Sequence, residues 1–171
     1  ALPIWTDFKN GLVDIENAYR VDEDRYDQDP YIQLKEKDLL ITKDGTIGKI
    51  ALVIGLNEPA TLNSGVFVTR PLKKQYLQEF MFWILNSNIF TEFIGYMANG
   101  STIEHLYQNV FVNFSYPLPK IDEQKKIVSF LDRETAKIDE MTKKVETQIE
   151  KLQEYRQALI TSAVTGKIMV N

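Results

Sequence analysis

Between residues 38 and 54 two apolar runs flank Asp44 and Gly45, and Thr42, Lys43 and Thr46 stand beside that pair. Two hydroxyls, an ammonium and a carboxylate within five residues can meet base edges and phosphates if a tight hairpin carries them into a nucleic-acid groove. The same residues also describe an ordinary solvated hairpin tip, and composition alone leaves both readings open. Asn63–Ser64–Gly65 and Gly100–Ser101–Thr102 are small polar loops of similar character, able to present backbone amides to phosphates.

Other chemistries are excluded or weak. The 171 residues contain no cysteine, which removes disulfides, thiol nucleophiles and thiolate-bound metals. One histidine, His105, excludes His-rich metal centres and most His-dependent triads; its ordinary reading is a structural or surface residue, with DNA contact as the alternative. The acids between residues 22 and 29 match no calcium loop and read as a solvated segment. Asp29–Pro30–Tyr31 approaches the Asp/Asn-Pro-Pro-Tyr of adenine methyltransferases, but it lacks the second proline and a preceding Gly-rich cofactor loop. Gly45–Thr46–Ile47–Gly48–Lys49 lacks phosphate-loop spacing and lies in a hairpin. The net charge is −4, with −5 in residues 1–29 and +1 in the rest. A protein that coats nucleic acid by bulk charge would be strongly basic, so any DNA binding must use a local patch. The longest apolar run, residues 50–56, is far short of the roughly 20 residues that a membrane helix needs, and the N-terminus does not read as a signal peptide.

These residues need a scaffold, and the chain divides near Pro117–Leu118–Pro119. Before it, short strands are expected at residues 2–5, 31–34, 65–70 and 110–116, with a turn at Asn10–Gly11 and an acidic loop over 20–30. A hairpin centres on Asp44–Gly45. Tyr76, Phe80, Trp83 and Ile84 stand at helical spacing over 75–86, and residues 89–97 continue that pattern. Strands followed by helices read as α+β. After the prolines, residues 122–164 hold no proline or glycine, Asp122 suits an N-cap and Gly166 a stop. Ile138, Val145, Leu152 and Leu159 recur every seven residues, with Met141, Ile149 and Tyr155 beside them. A helix of roughly 60 Å would outreach a globule on the order of 30 Å across, and its apolar seam needs a partner helix. Gln148 and Ser162 interrupt a strict heptad, which favours an antiparallel pair or small bundle over a parallel zipper.

Three segments, Tyr116-Pro-Leu-Pro-Lys-Ile-Asp-Glu-Gln-Lys-Lys-Ile-Val128, Phe130-Leu-Asp-Arg-Glu-Thr-Ala-Lys-Ile138 and Tyr155-Arg-Gln-Ala-Leu-Ile-Thr-Ser-Ala-Val-Thr-Gly-Lys-Ile168, closely resemble the helical region of type I restriction–modification DNA specificity subunits. Lys37-Asp-Leu-Leu-Ile-Thr-Lys-Asp-Gly-Thr-Ile-Gly-Lys-Ile-Ala-Leu-Val53 is similar to the hairpin of that family's target recognition domain. Asn63-Ser-Gly-Val-Phe-Val with Arg70-Pro71, and Gly100-Ser-Thr102, are similar to its later segments.

The resemblance implies a target recognition domain over residues 1–119 and a spacer, dimerisation and docking helix over 120–171. It implies no enzymatic activity and no bound cofactor, with S-adenosylmethionine held by partner methyltransferase subunits. It implies double-stranded DNA, modification subunits and a restriction subunit as partners, in the cytoplasm and away from membranes. Family members carry two recognition domains and two antiparallel helices; this chain has one of each, and its start looks short by several tens of residues. It is therefore expected to be a half-subunit or a fragment, completed by a second copy or by the other half. Two copies related by a two-fold axis would read a palindrome interrupted by a spacer. The candidate DNA-facing residues are Thr42, Lys43, Asp44, Thr46, Ser64, Ser101 and Thr102, with Lys49, Arg70 and Lys73 as phosphate partners. The rival readings are a small methyltransferase or nuclease, and a coiled-coil adaptor without DNA specificity. The first lacks a cofactor loop, and the imperfect heptad and the hairpin speak against the second.

Overall fold

A computed structural model describes residues 8–9, 11–13, 23–98 and 105–169. The strand expected at residues 2–5, Asn10 of the first turn and the loop Asn99–Gly100–Ser101–Thr102 lie outside the described residues. The chain forms two compact units, Ala1–Val128 and Ser129–Asn171.

The first unit is α+β. Its strands are β1 (Phe8–Lys9), β2 (Leu12–Val13), β3 (Leu39–Thr42), β4 (Ile50–Leu52) and β5 (Val66–Thr69), in the spatial order β1-β2-β4-β3-β5. Its short helices are α1 (Glu23–Asp27), α2 (Gln78–Leu85), α3 (Asn88–Ala98) and α4 (Gln108–Phe111). β3 is central and pairs antiparallel with β4 (Leu39 opposite Leu52, Ile41 opposite Ile50) and with β5 (Leu40 opposite Val68, Thr42 opposite Val66).

Every β3 residue is buried because both sheet faces are covered. Side chains alternate along a strand. Leu39, Ile41, Ile50, Leu52 and Phe67 therefore meet Met81, Leu85, Phe90, Leu106 and Phe114 on one face. On the other, Leu40, Ala51 and Val66 meet Leu34, Val53, Ala60 and Leu62. The helical face is aromatic-rich: Phe90 lies 5.2 Å from Phe114 and 6.0 Å from Phe111, which in turn sits edge-on to Phe67 at 5.3 Å.

The hairpin is present, but its connection is wider than an Asp–Gly turn. The Thr42 amide donates to the Lys49 carbonyl, so residues 43–48 form the loop. Ile47 packs against the core, and Gly48, at φ +80°, has no room for a Cβ, which would fall 2.8 Å from Ile94 Cδ1. Turning Ile47 inward opens the loop.

Other expectations need correction. Residues 31–34 form no strand; only Gln33 bridges to Thr61. The acidic segment holds the one-turn helix α1. Residues 110–116 are not a strand either: Val110 and Phe111 close α4, and residues 112–116 are irregular. Phe111 and Phe114 both enter the aromatic cluster, and alternation along a strand would have sent them to opposite faces.

The helix α5 (Ile121–Val164) starts two residues before an Asp122 cap would place it: the Lys120 carbonyl accepts the Glu123 and Gln124 amides, so Asp122 lies in the first turn rather than at the cap. Gln124 is wholly buried. Its Oε1 accepts the Leu77 amide at 2.9 Å, and its Nε2 donates to the carbonyls of Gln75 at 3.1 Å and Pro119 at 2.8 Å. Gly166 ends the helix at φ +71°. The amides of Gly166 and Lys167 there reach the carbonyls of Ala163 and Ser162, the two bonds of a Schellman motif.

In the second unit residues 129–164 are helical over on the order of 50 Å. Ile138, Met141, Val145, Ile149, Leu152, Tyr155 and Leu159 are each 46–66% exposed along it. Glu134 holds Arg133 and Lys137, and Glu140 holds Lys144, so charge lies beside the apolar stripe.

Candidate nucleic-acid interface

Three segments meet at the loop end of β3 and β5. The Lys43 amide donates to the Gly65 carbonyl, and the Lys43 carbonyl accepts the Leu106 amide, both at 2.9 Å. Asp44 bridges to His105, and its carboxylate contacts His105 Nδ1. The His105 ring lies 4.5 Å from that of Tyr107. The turn at residues 63–65 is closed by Asn63 Oδ1, which accepts the Gly65 amide at 2.8 Å. A Cβ placed on Gly65 would lie 3.8 Å from the Asp44 side chain, so the loop and the turn are in contact.

Beside this junction is an open depression of about 440 Å³. Its apolar lining includes Ile32, Leu62, Val66 and Val68; its polar lining includes Lys43, Asn63, Ser64, Arg70 and Gln108, and Tyr31 also borders it. The surface offers an ammonium, amides and a hydroxyl, groups that bond phosphates and base edges.

The structure sorts the expected residues. Lys43, Ser64 and Arg70 come together at the depression. Asp44 and Thr46 occupy the adjoining loop, where Thr46 is exposed. Lys49 is exposed at the foot of β4, and Lys73 is exposed beyond β5. Ser101 and Thr102 lie outside the described residues.

Two assignments change. Thr42 is wholly buried. Its hydroxyl donates to the Thr46 carbonyl at 2.5 Å and accepts the Lys49 amide at 2.9 Å, so it braces the loop from inside and does not face a groove. Arg70 is not free for a phosphate. Its Nε and terminal nitrogen grip the buried Asp38 carboxylate at 2.7 and 2.5 Å, and it also donates to the Gln33 carbonyl. The hydrogen bond to Asp38, against the opposing effect of burial, holds the Arg70 guanidinium above its ordinary pKa. A buried carboxylate needs a counter-charge, and this need claims the arginine.

Tyr31 and Gln108 escape sequence reasoning. Tyr31 is 83% exposed, and Gln108 is exposed on the depression's wall. Gln108 sits in no motif, Tyr31 entered only through the rejected Asp29–Pro30–Tyr31 comparison, and only the fold brings them to Lys43. His105, read from the sequence as a structural or surface residue with DNA contact as the alternative, contacts the Asp44 carboxylate.

Among the described residues no His/Asp/Glu cluster suited to a metal is found, and no helix is long and apolar enough to cross a membrane.

The family described as the type I restriction modification DNA specificity domain matches residues 8–151. The specificity subunit of the type I restriction enzyme EcoBI of Escherichia coli is 29% identical over 132 residues, covering 77% of this chain and 27% of that protein. The MjaVIII specificity subunit of Methanocaldococcus jannaschii is 28% identical over 168 residues, covering 94% of this chain and 38% of that protein. In fold, the chain is similar to the HsdS subunit from Thermoanaerobacter tengcongensis, with a TM-score of 0.62 at 17% identity, covering 98% of this chain and 37% of that one. A chain from a type I R-M system studied for complex assembly and conformational transition gives a TM-score of 0.63 at 17% identity, covering 77% of this chain and 31% of that one. The chain thus spans between about a quarter and two fifths of the length of these proteins.

Proposed function

The chain belongs to the type I restriction–modification DNA specificity family, and from that premise we propose that it reads one half of a bipartite DNA target through residues 1–119. Residues 120–171 pair with a second helix and dock the methyltransferase and restriction subunits. The chain catalyses nothing itself. It holds no cofactor, S-adenosylmethionine being bound by the modification subunit, and it works in the cytoplasm, where that DNA lies.

The match over residues 8–151 carries this reading, because it takes in both the loop cluster and most of the helix. The chemistry is compatible. Lys43 supplies charge to a phosphate, while Ser64 and the Thr46 hydroxyl can bond base edges or sugar–phosphate oxygens. Asp44 can accept from a cytosine amino group. The exposed seam from Ile138 to Leu159 supports pairing with a second helix, since a face this apolar is normally covered. With a second copy as the partner, the complex has two identical heads and reads an interrupted palindrome.

The test is co-expression with the cognate modification subunit, followed by genome-wide mapping of methylated adenines. Methylation at an interrupted palindrome is the expected result. An asymmetric bipartite site would assign the partner helix to a different half. Purified complexes that form with the modification subunit yet place no sequence-dependent methylation would leave a docking helix without a reader, the adaptor reading.

A further inference from the structure

We propose that His105 is a positioning residue for target recognition: through Asp44 it fixes the loop of residues 43–48 in the conformation that meets DNA. The proposal rests on the DNA-reading function and adds a residue to it.

Three observations carry it. Among the described residues the side-chain partner of Asp44 is His105, whose Nδ1 contacts the carboxylate. The same step of chain is also held through the backbone, where the Leu106 amide donates to the Lys43 carbonyl within the Asp44–His105 bridge. Tyr107 then packs against the imidazole at 4.5 Å. Lys43, Asp44 and Thr46 therefore inherit their placement from a segment some sixty residues further on.

The contact also has an electrostatic consequence. The Asp44 side chain is 44% exposed, in a loop that must approach a polyanion. An unengaged carboxylate there repels phosphates. A carboxylate whose one oxygen is held by an imidazole is oriented, and its remaining lone pairs are free for a base amino group. Loss of the histidine both frees the loop and bares the charge, so the penalty falls on the matched site, where the loop must fit, more than on random DNA.

The test uses the full chain in complex with its modification subunit, and duplexes carrying either the methylated target sequence or a scrambled one, titrated at fixed salt. His105→Ala should weaken target binding about tenfold, leave scrambled binding within twofold and preserve the melting temperature. His105→Asn keeps an N–H donor near the position of Nδ1 and should restore most of the loss. Asp44→Ala combined with His105→Ala should be no worse for the target than Asp44→Ala alone, because the histidine acts through the aspartate. Amide exchange on the chain should show Leu106 exchanging faster in His105→Ala. Wild-type discrimination that survives His105→Ala, or an Asn variant as weak as the Ala variant, overturns the positioning role and leaves DNA reading intact. A wild-type complex that does not distinguish the two duplexes overturns the DNA reading and this proposal together.

Discussion

The Asp38 carboxylate is 3% exposed and surrounded by donors: two Arg70 nitrogens and the Lys35 amide at 2.8 Å. Removing one partner of such a pair leaves a buried charge or a set of orphaned donors. Asp38→Ala and Arg70→Ala should each destabilise the chain by about 3 kcal/mol, read as a lower urea midpoint with unchanged slope. Lys43→Ala should shift that midpoint by less than about 0.5 kcal/mol while weakening target binding severalfold and flattening its salt dependence. The Lys43 and Arg70 substitutions thus separate the lysine proposed to touch DNA from an arginine that buttresses the sheet. The Lys37–Glu79 pair gives a pH signature. Burial pushes the Glu79 carboxyl up, but the Lys37 hydrogen bond, a backbone hydrogen bond and the Lys37 charge together leave it below its ordinary value of 4.5. The Glu79 hydrogen bond and charge hold the Lys37 ammonium above 10.5. The contribution is therefore complete between those two ordinary values. It fades as pH falls through the depressed carboxylate value or rises through the elevated ammonium value. The difference in urea midpoint between wild type and Glu79→Gln should be flat through neutral pH and close in acid below the ordinary carboxylate range. At this scale the sequence was only partly legible. Lys43 and Ser64 could be picked out by type and spacing. That Arg70 belongs to Asp38, or Asp44 to His105, depends on contacts between residues 32 and 61 positions apart.

Elements were more legible where their signal was local. β3 and β4 are short apolar runs on either side of Asp44–Gly45, and α5 needs only its own long stretch without proline or glycine and a terminal glycine. The segments around Val110 and Tyr31 were misread because β-rich composition does not say whether a residue lies in a ladder or plugs a core. The six-residue loop was hidden for a related reason: Ile47 turns inward to meet a core that the hairpin alone does not contain. The start of α5 shows how one side chain can set an element's place. Gln124 satisfies the Leu77 amide at the head of α2 and two carbonyls, those of Gln75 and Pro119, from a position with no solvent. Gln124→Leu fills the volume but strands those three groups, each costing about 1 kcal/mol or more when buried and unmet. The expected loss is about 2–3 kcal/mol in denaturant unfolding followed by Trp83 fluorescence. Gln124→Glu removes only the donating half and should cost the carbonyl contacts more than the Leu77 contact, which hydrogen exchange at Leu77 would reveal.

At the scale of the whole molecule, the open matter is what covers the seam of α5. Seven apolar residues over 138–159 are each about half exposed, and in the proposed assembly a second copy runs antiparallel against them. A symmetric, fully overlapped pair has its axis near the middle of that span, so Ile149 faces its own copy across the axis. Ile138 instead faces Leu159, about 30 Å along the helix from its own counterpart. The chain has no native cysteine, which makes single replacements unambiguous. Ile149→Cys should form an intermolecular disulfide under mild oxidation, since the two Cα atoms fall within bonding reach. Ile138→Cys should not. A parallel pair would cross-link at both positions, and a chain that pairs only with a different half would cross-link with itself at neither. Ile149→Asp carries the consequence to function, because two carboxylates meeting in an apolar seam cannot be desolvated cheaply. That variant should sediment as a monomer and keep its fold. In co-expression with the modification subunit it should lose methylation at the interrupted site, while retaining weak binding to a duplex that carries a single half-site. Loss of pairing without loss of bipartite methylation would place the spacing of the two heads in the partner subunits, not in this helix.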